Sequence, residues 1–185
     1  MELLNLLIDA MLVGFGVYSL IYLLLPKKRR TSTLLQIDQT ACLVFAIGGL
    51  IGILLWFYSL QTVIVDEDGE VLFQLTNRMF GPYWFAYWAM MLSYLGITQL
   101  YWFKKLRTIK WLRVITIMLM LFSMERLTIL ITSFHRDFLP SSHGYELLLD
   151  AVLYSLIKWL HDLAVFGIVV MAVFGIKRLI KRKHA

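Results

Sequence analysis

Apolar residues occur along this chain in five long runs, separated by short polar or charged stretches. Each run reaches the roughly 20 residues that a helix needs to cross the hydrocarbon core of a membrane. Backbone polar groups have no other partners in lipid, so each run is predicted to be a helix. The predicted spans cover about residues 3–25, 40–60, 82–103, 111–134 and 145–176.

The pattern predicts an all-α integral membrane protein with five transmembrane helices. Spans four and five hold deep charges that must be shielded from lipid, whereas span one has only Asn5 and Asp9, near its outer end. We therefore expect spans two to five to form a four-helix bundle and span one to be peripheral. Residues 1–30 are then an N-terminal transmembrane helix, and residues 31–185 are the bundle, with an outer loop at 61–80 and a basic cytoplasmic tail. Composition agrees with this class, because 60% of the residues are hydrophobic and 16% are charged.

Basic residues predict the orientation, because they cluster in three places that fall on one side of the membrane if the chain weaves back and forth. The clusters lie at 27–30, 104–113 and 177–183 and hold 14 of the 18 lysines and arginines. Cytoplasmic loops carry such an excess of positive charge. We therefore expect the N-terminus outside and the C-terminus in the cytoplasm. The net charge of +6 is then a signal of topology and not a nucleic-acid-binding surface.

Ionisable side chains inside spans four and five form the first candidate site. Glu125 and Arg126 lie near the middle of span four. Span five carries residues spaced four apart on one helix face, with His161 at its border: Asp150, Tyr154, Lys158 and Asp162. A charge at the bilayer centre costs at least about 2.5 kcal/mol, so we expect pairs, Glu125 with Lys158 and Arg126 with Asp162. The set serves either as a proton or quinol relay or as ion pairs that join the two helices.

A second candidate site lies at the outer end of span four, where His135, Arg136 and Asp137 precede Pro140. One interpretation is a solvated helix cap. The other is a fixed turn that contacts Arg78 or the acidic residues at 66–70 and forms a docking rim for a partner protein. His135 and His161 are the candidate pair of haem ligands, but they lie at different depths. With no zinc spacing either, bound metal is not expected.

Three segments, in order along the chain, resemble a known family. They are NRMFGPYWFAYWAMM at 77–91, YWFKKLR at 101–107 and MERLTILITSFHRDFLPSS at 124–142. Over about residues 41–155 the chain is similar to the NrfD/PsrC-like (polysulfide reductase-type) membrane subunits, and within them it resembles the quinol-interacting membrane subunit of bacterial alternative complex III. Members have two four-helix bundles, and the similarity covers only the second. Five of the candidate residues match motif positions (Glu125, Arg126, His135, Arg136 and Asp137), while Lys158, His161 and Asp162 are additions.

The resemblance implies a membrane subunit of a respiratory electron-transport complex in a bacterial inner membrane, with its N-terminus in the periplasm. Such a subunit assists quinol binding or proton movement, or acts as a half-sized accessory. Expected partners are other membrane subunits, periplasmic iron–sulfur and cytochrome c subunits, and lipid. The sequence contains no clear set of cofactor ligands, and the resemblance implies menaquinone or its quinol as the cofactor. The chain would be at most a non-catalytic or quinone-linked part of an oxidoreductase. Two alternatives stay open: a purely structural scaffold subunit, and a small transporter, against which the lack of an inverted repeat argues.

Overall fold

The computed structural model describes residues 2–26, 28, 30–65, 69–82, 84–92, 96–121 and 144–183. Within these residues the chain is helical and has no strand, which confirms the all-α class. In chain order the helices are α1 (Glu2–Leu24), α2 (Ser32–Val65), α3 (Gly69–Phe80), α4 (Trp84–Leu92), α5 (Thr98–Leu100), α6 (Lys104–Arg107), α7 (Lys110–Leu121) and α8 (Gly144–Lys183).

Three of these helices are long and apolar enough to cross a membrane. The apolar stretches run over Leu3–Leu24 in α1, Ser32–Ile64 in α2 and Leu153–Lys181 in α8. At 1.5 Å per residue, each is longer than the roughly 30 Å of a hydrocarbon core. They coincide with predicted spans one, two and five, so the prediction of a membrane protein is supported.

The prediction of five transmembrane helices is not confirmed. In the third predicted span the described residues form α4, of nine residues, α5, of three, and a turn at 101–103, while residues 93–95 lie outside the described residues. In that turn the amides of three successive residues donate to carbonyl oxygens three positions back, at 3.2–3.3 Å, the tight pattern that often ends a helix. Helix α7 covers the start of the fourth predicted span, and residues 122–143, which hold the remainder, lie outside the described residues.

The predicted outer loop at 61–80 is largely helical. Helix α2 continues to Val65, and α3 follows from Gly69 to Phe80. No residue of α3 is buried, and four of its large apolar side chains are exposed: Val71, Leu72, Phe73 and Phe80. A helix with an apolar face and a polar face is typical of segments that lie along a membrane surface. Trp88 of α4 donates its indole N–H to the carbonyl oxygen of Met79 at 3.0 Å, which joins α4 to α3.

Helix α1 lies at the centre of the packed core, so the prediction that it is peripheral is wrong. It packs against α2, α7 and α8. Phe15 of α1 is fully buried and stacks on Phe45 at 4.0 Å between ring centroids, with Tyr101 edge-on at 5.1 Å and Phe166 at 5.9 Å. The physical reason is shape, because Gly14 leaves room for the close approach of α8 and Phe15 stacks against α2.

Residue pairs along α1 give the directions of its neighbours. Going from Phe15 to Tyr18 in α1, the partners in α2 go backwards from Phe45 to Asp38, so the two helices are antiparallel. Met120 of α7 lies beside Gly16, and Arg113 lies over Tyr22, so α7 is also antiparallel to α1. In α8 the partners advance from Asp162 at Gly14 to Phe166 at Tyr18, which makes α8 parallel to α1.

These directions bring the C-terminal ends of α1 and α8 and the N-terminal ends of α2 and α7 to one end of the molecule, which we call the basic end. The three basic clusters at 27–30, 104–113 and 177–183 flank these helix ends. The packing therefore agrees with the prediction that the three clusters share one side.

Candidate functional site

Three of the ionisable residues predicted in span five form a compact group on α8. Lys158 donates from Nζ to Oδ2 of Asp162 at 2.8 Å, one helical turn away. The Nδ1 atom of His161 lies 3.3 Å from Oδ1 of the same carboxylate. Asp162 thus bridges a cation and an imidazole, and both its oxygens are used.

The Asp162 group lies deep in the molecule. The Asp162 side chain is 4% exposed and faces α1, where its backbone approaches Gly14. Gly14 is near the middle of the Leu3–Leu24 stretch, so the group is far from both ends of that span. A carboxylate at this depth is stabilised by the adjacent ammonium. The imidazole and the carboxylate can each hold a proton, so the arrangement is chemically suited to accept, keep or pass one.

His161 points away from the core. Its side chain is 71% exposed and that of Lys158 is 37% exposed. His161 belongs to a row of exposed residues with alternating spacings of three and four, which we call the α8 stripe: Tyr154, Ile157, His161, Ala164, Ile168 and Met171. No helix among the described residues covers this row. The row lies on the side of α8 opposite to the one that packs on α1.

The remaining predicted site residues are placed less completely. Asp150 lies on α8, but its side chain is outside the described set, and Tyr154 is exposed one turn beyond it. Arg78 is exposed in the last turn of α3. Five residues lie outside the described residues, so both predicted ion pairs and the docking rim stay predictions: Glu125, Arg126, His135, Arg136 and Asp137.

A second polar cluster, which sequence reasoning missed, lies near the basic end. Arg113 of α7 donates from Nη2 to Oδ2 of Asp38 in α2 at 2.6 Å, with 4% of the arginine and 11% of the aspartate side chain exposed. The Tyr18 hydroxyl donates to Oδ1 of Asp38 at 3.3 Å, and the Cys42 sulfur lies 3.5 Å from Nη2. Side chains of α1, α2 and α7 therefore meet at one buried ion pair. Because the pair is buried, each charge is stable there only in the presence of the other.

Two arginines share the ring of Tyr22 beside this pair. The guanidinium carbons of Arg30 and Arg113 each lie 4.4 Å from its centroid, within cation–π range. Arg30 also donates from Nη2 to the carbonyl oxygens of Tyr22 and Leu25, at 3.1 and 3.3 Å. These bonds hold the α1–α2 connection against the end of α1.

One sequence signal points to the buried pair. Asp38 is the only acidic residue between Asp9 and Asp66. It lies just before predicted span two, which begins at about residue 40, and Arg113 belongs to the basic cluster at 104–113 that predicts the orientation. An isolated carboxylate next to two basic clusters is a candidate for a charge pair, although its partner, 75 residues away, is not visible in the sequence pattern.

Within the described residues no group of three histidine, cysteine, aspartate or glutamate side chains is placed to hold a metal ion. Comparisons of the chain with protein-family models, with curated proteins and with solved structures give no match.

Proposed function

We propose that this protein is a membrane subunit of a larger electron-transport assembly, in which the α8 stripe packs against a helix of a partner subunit. The observation that carries the proposal is the position of His161, which is deep along a membrane-spanning helix and yet 71% exposed. The resemblance of residues 41–155 to NrfD/PsrC-like subunits supplies the class of assembly.

The energetics favour a protein partner over lipid at the α8 stripe. Polar and ionisable side chains in the hydrocarbon core are costly and almost always face other helices or water. The alternation of three and four residues from Tyr154 to Met171 is the spacing at which left-handed helix pairs pack. Ala164 in this row allows a neighbouring backbone to come close, as small residues do in membrane helix pairs.

In this assembly the Asp162 group assists proton movement or quinol binding. His161 and Lys158 offer polar hydrogens at the surface of α8, which suits recognition of a quinone oxygen. Asp162 keeps this pair in place through its bonds at 2.8 and 3.3 Å. Menaquinone would supply the redox chemistry, and the partner subunits, which contain iron–sulfur clusters and cytochrome c, would carry the electrons.

A second candidate function is a purely structural accessory subunit. The observation in its favour is that Lys158 already neutralises Asp162 at 2.8 Å within α8. The group can then act only to specify helix packing, with no proton transfer.

Purification from native membranes in a mild detergent tests the proposal. We expect the protein to copurify with iron–sulfur and cytochrome c subunits. Recovery of the chain alone, or only with copies of itself, would contradict the proposed assembly and favour a transporter or another role.

Two variants separate the relay from the scaffold. His161→Gln and Asp162→Asn retain polar side chains of similar size, so we expect partners at normal yield. The relay predicts that quinol oxidation and its coupled proton release fall in both variants, whereas the scaffold predicts no change. Lys177→Gln, at an exposed position near the basic end, is the control and leaves both readouts unchanged.

A further inference from the structure

A cleft of about 410 Å³ opens at the basic end between α1, α2, α6 and α7. Five basic side chains line it: Arg30, Lys104, Arg107, Lys110 and Arg113. Asp38 is the single acidic residue in its lining, and Leu23 and Leu35 supply apolar side chains at its wall. We call this the basic cleft.

The positive charge of the basic cleft is largely uncompensated. Asp38 pairs with Arg113, and no other carboxylate among the described residues forms an ion pair with a lining residue. Arg30 and Arg107 donate to neutral carbonyl oxygens of the backbone. Lys104 and Lys110 are exposed, and their ammonium groups have no hydrogen-bond partner in the described part of the chain. Like charges held this close repel one another unless an anion joins them.

Two buried donors in the same cleft have no acceptor. Nη1 of Arg113 and Nε of Arg30 are both buried and make no hydrogen bond in the described residues. Arg113 is otherwise saturated, with Nη2 on Asp38 and Nε on the carbonyl oxygen of Arg107. Buried donors are nearly always satisfied in folded proteins, so both arginines keep unused hydrogen-bonding capacity beside the cleft.

We infer that the basic cleft binds a phosphate group. Guanidinium groups match the oxygens of a phosphate in geometry and charge, and two arginines with two lysines supply more donors than its oxygens need. Basic pockets between membrane helices on the cytoplasmic side are typical sites for anionic lipid headgroups. Leu23 and Leu35 provide apolar wall beside the charges, which suits the start of an acyl chain. The phosphate of an anionic phospholipid therefore fits the cleft better than a free phosphate ester.

Native mass spectrometry and thermal unfolding of the full chain in a neutral detergent test this inference. The probes are dioleoylphosphatidylglycerol, dioleoylphosphatidylcholine and inorganic phosphate. We expect one phosphatidylglycerol to remain bound, with a higher unfolding temperature and about tenfold preference over phosphatidylcholine. If inorganic phosphate binds and displaces the lipid, the ligand of the cleft is a free phosphate compound from solution, and the assignment to a lipid headgroup is wrong. If neither anion binds in preference to phosphatidylcholine, the inference is wrong.

Matched variants locate the binding. Arg30→Gln and Lys110→Gln each remove a cleft donor, and we expect each to weaken phosphatidylglycerol binding about tenfold. Lys110→Gln leaves every hydrogen bond among the described residues intact, so it separates loss of binding from misfolding. Arg178→Gln is the control, because Arg178 also lies over an aromatic ring, Phe174 at 4.9 Å, but outside the cleft. Equal weakening in the control, or none in the two cleft variants, would overturn the assignment.

Discussion

At the scale of single residues, the buried pair of Arg113 and Asp38 decides how three helices meet. The 2.6 Å contact joins α7 to α2, and Tyr18 of α1 donates to the same carboxylate. Removing one member of such a pair strands the other charge in a low-dielectric site. Replacing both by apolar residues avoids that cost.

Arg113→Gln is expected to lower the free energy of unfolding by about 3–5 kcal/mol, because it leaves the Asp38 carboxylate buried without its cation. The double variant Arg113→Met with Asp38→Leu is expected to recover much of that loss. Chemical unfolding in detergent measures both. Lys110→Gln, one turn away on the same helix and exposed, is the control and should change the free energy by no more than about 0.5 kcal/mol. An equal loss in Arg113→Gln and Lys110→Gln would show that the pair has no structural role.

The helix face predicted in span five contains Lys158 and Asp162, although each was predicted to pair with a residue of span four. Lys158 and Asp162 are one turn apart, so their proximity follows from helix geometry alone. Asp38 and Arg113 are 75 residues apart, and their pairing depends on how α2 and α7 are placed around α1. The four-residue spacing within one helix predicts that Lys158 and Asp162 are close, whereas the pairing of Asp38 with Arg113 is visible only in the packed structure.

At the scale of helices, a glycine sets the distance between α1 and α8. A Cβ atom at Gly14 would overlap the carbonyl oxygen of Asp162 and the Cβ of Phe166. The backbones are therefore close enough that no side chain fits. Such contacts at small residues are a main source of attraction between helices in membranes.

Gly14→Ala is expected to destabilise the protein by about 1–3 kcal/mol, because α8 must move away from α1 to admit the methyl group. Gly167→Ala is the matched control on α8, where an added Cβ meets nothing within 4 Å. Alanine favours a helix over glycine, so the control is expected to be neutral or slightly stabilising. Unfolding in mixed detergent compares the two variants. Equal stability of both would mean that α1 and α8 do not approach closely at Gly14.

The lengths of apolar runs predicted α1, α2 and α8 well, but not how they pack. The distribution of polar residues placed α1 at the periphery, since Asn5 and Asp9 lie near one end of it. Its central position results instead from shape: Gly14 admits α8, and Phe15 stacks against α2. The third predicted span is apolar enough in total, but residues 93–95 within it lie outside the described residues, and the turn at 101–103 is at its end.

At the scale of the whole molecule, the helix directions place all three basic clusters at one end. We expect that end to face the cytoplasm, because positive residues are retained there. A reporter enzyme that is active only in the periplasm measures this. Fusions after Lys28 and after Ala185 are expected to be inactive, and an insertion just before Gly69, the first residue of α3, is expected to be active. Activity of the fusion after Ala185 would reverse the predicted orientation.

The proposed assembly depends on what covers the α8 stripe. Residues 153–171 of α8 expose several large apolar side chains around His161. Lipid, a helix of a partner subunit and residues 122–143 of this chain would each give a different neighbour to Ala164. Identification of that neighbour in intact membranes distinguishes the three.

The most direct measurement is photo-crosslinking from a benzophenone amino acid placed at Ala164, in native membranes, followed by mass spectrometry of the adduct. A second photoreactive site at Leu54, an exposed apolar position of α2, is the control for lipid contact. The account predicts an adduct between Ala164 and a helix of another polypeptide, with lipid adducts at Leu54. Lipid adducts alone at Ala164, or a crosslink to residues 122–143 of the same chain, would contradict it.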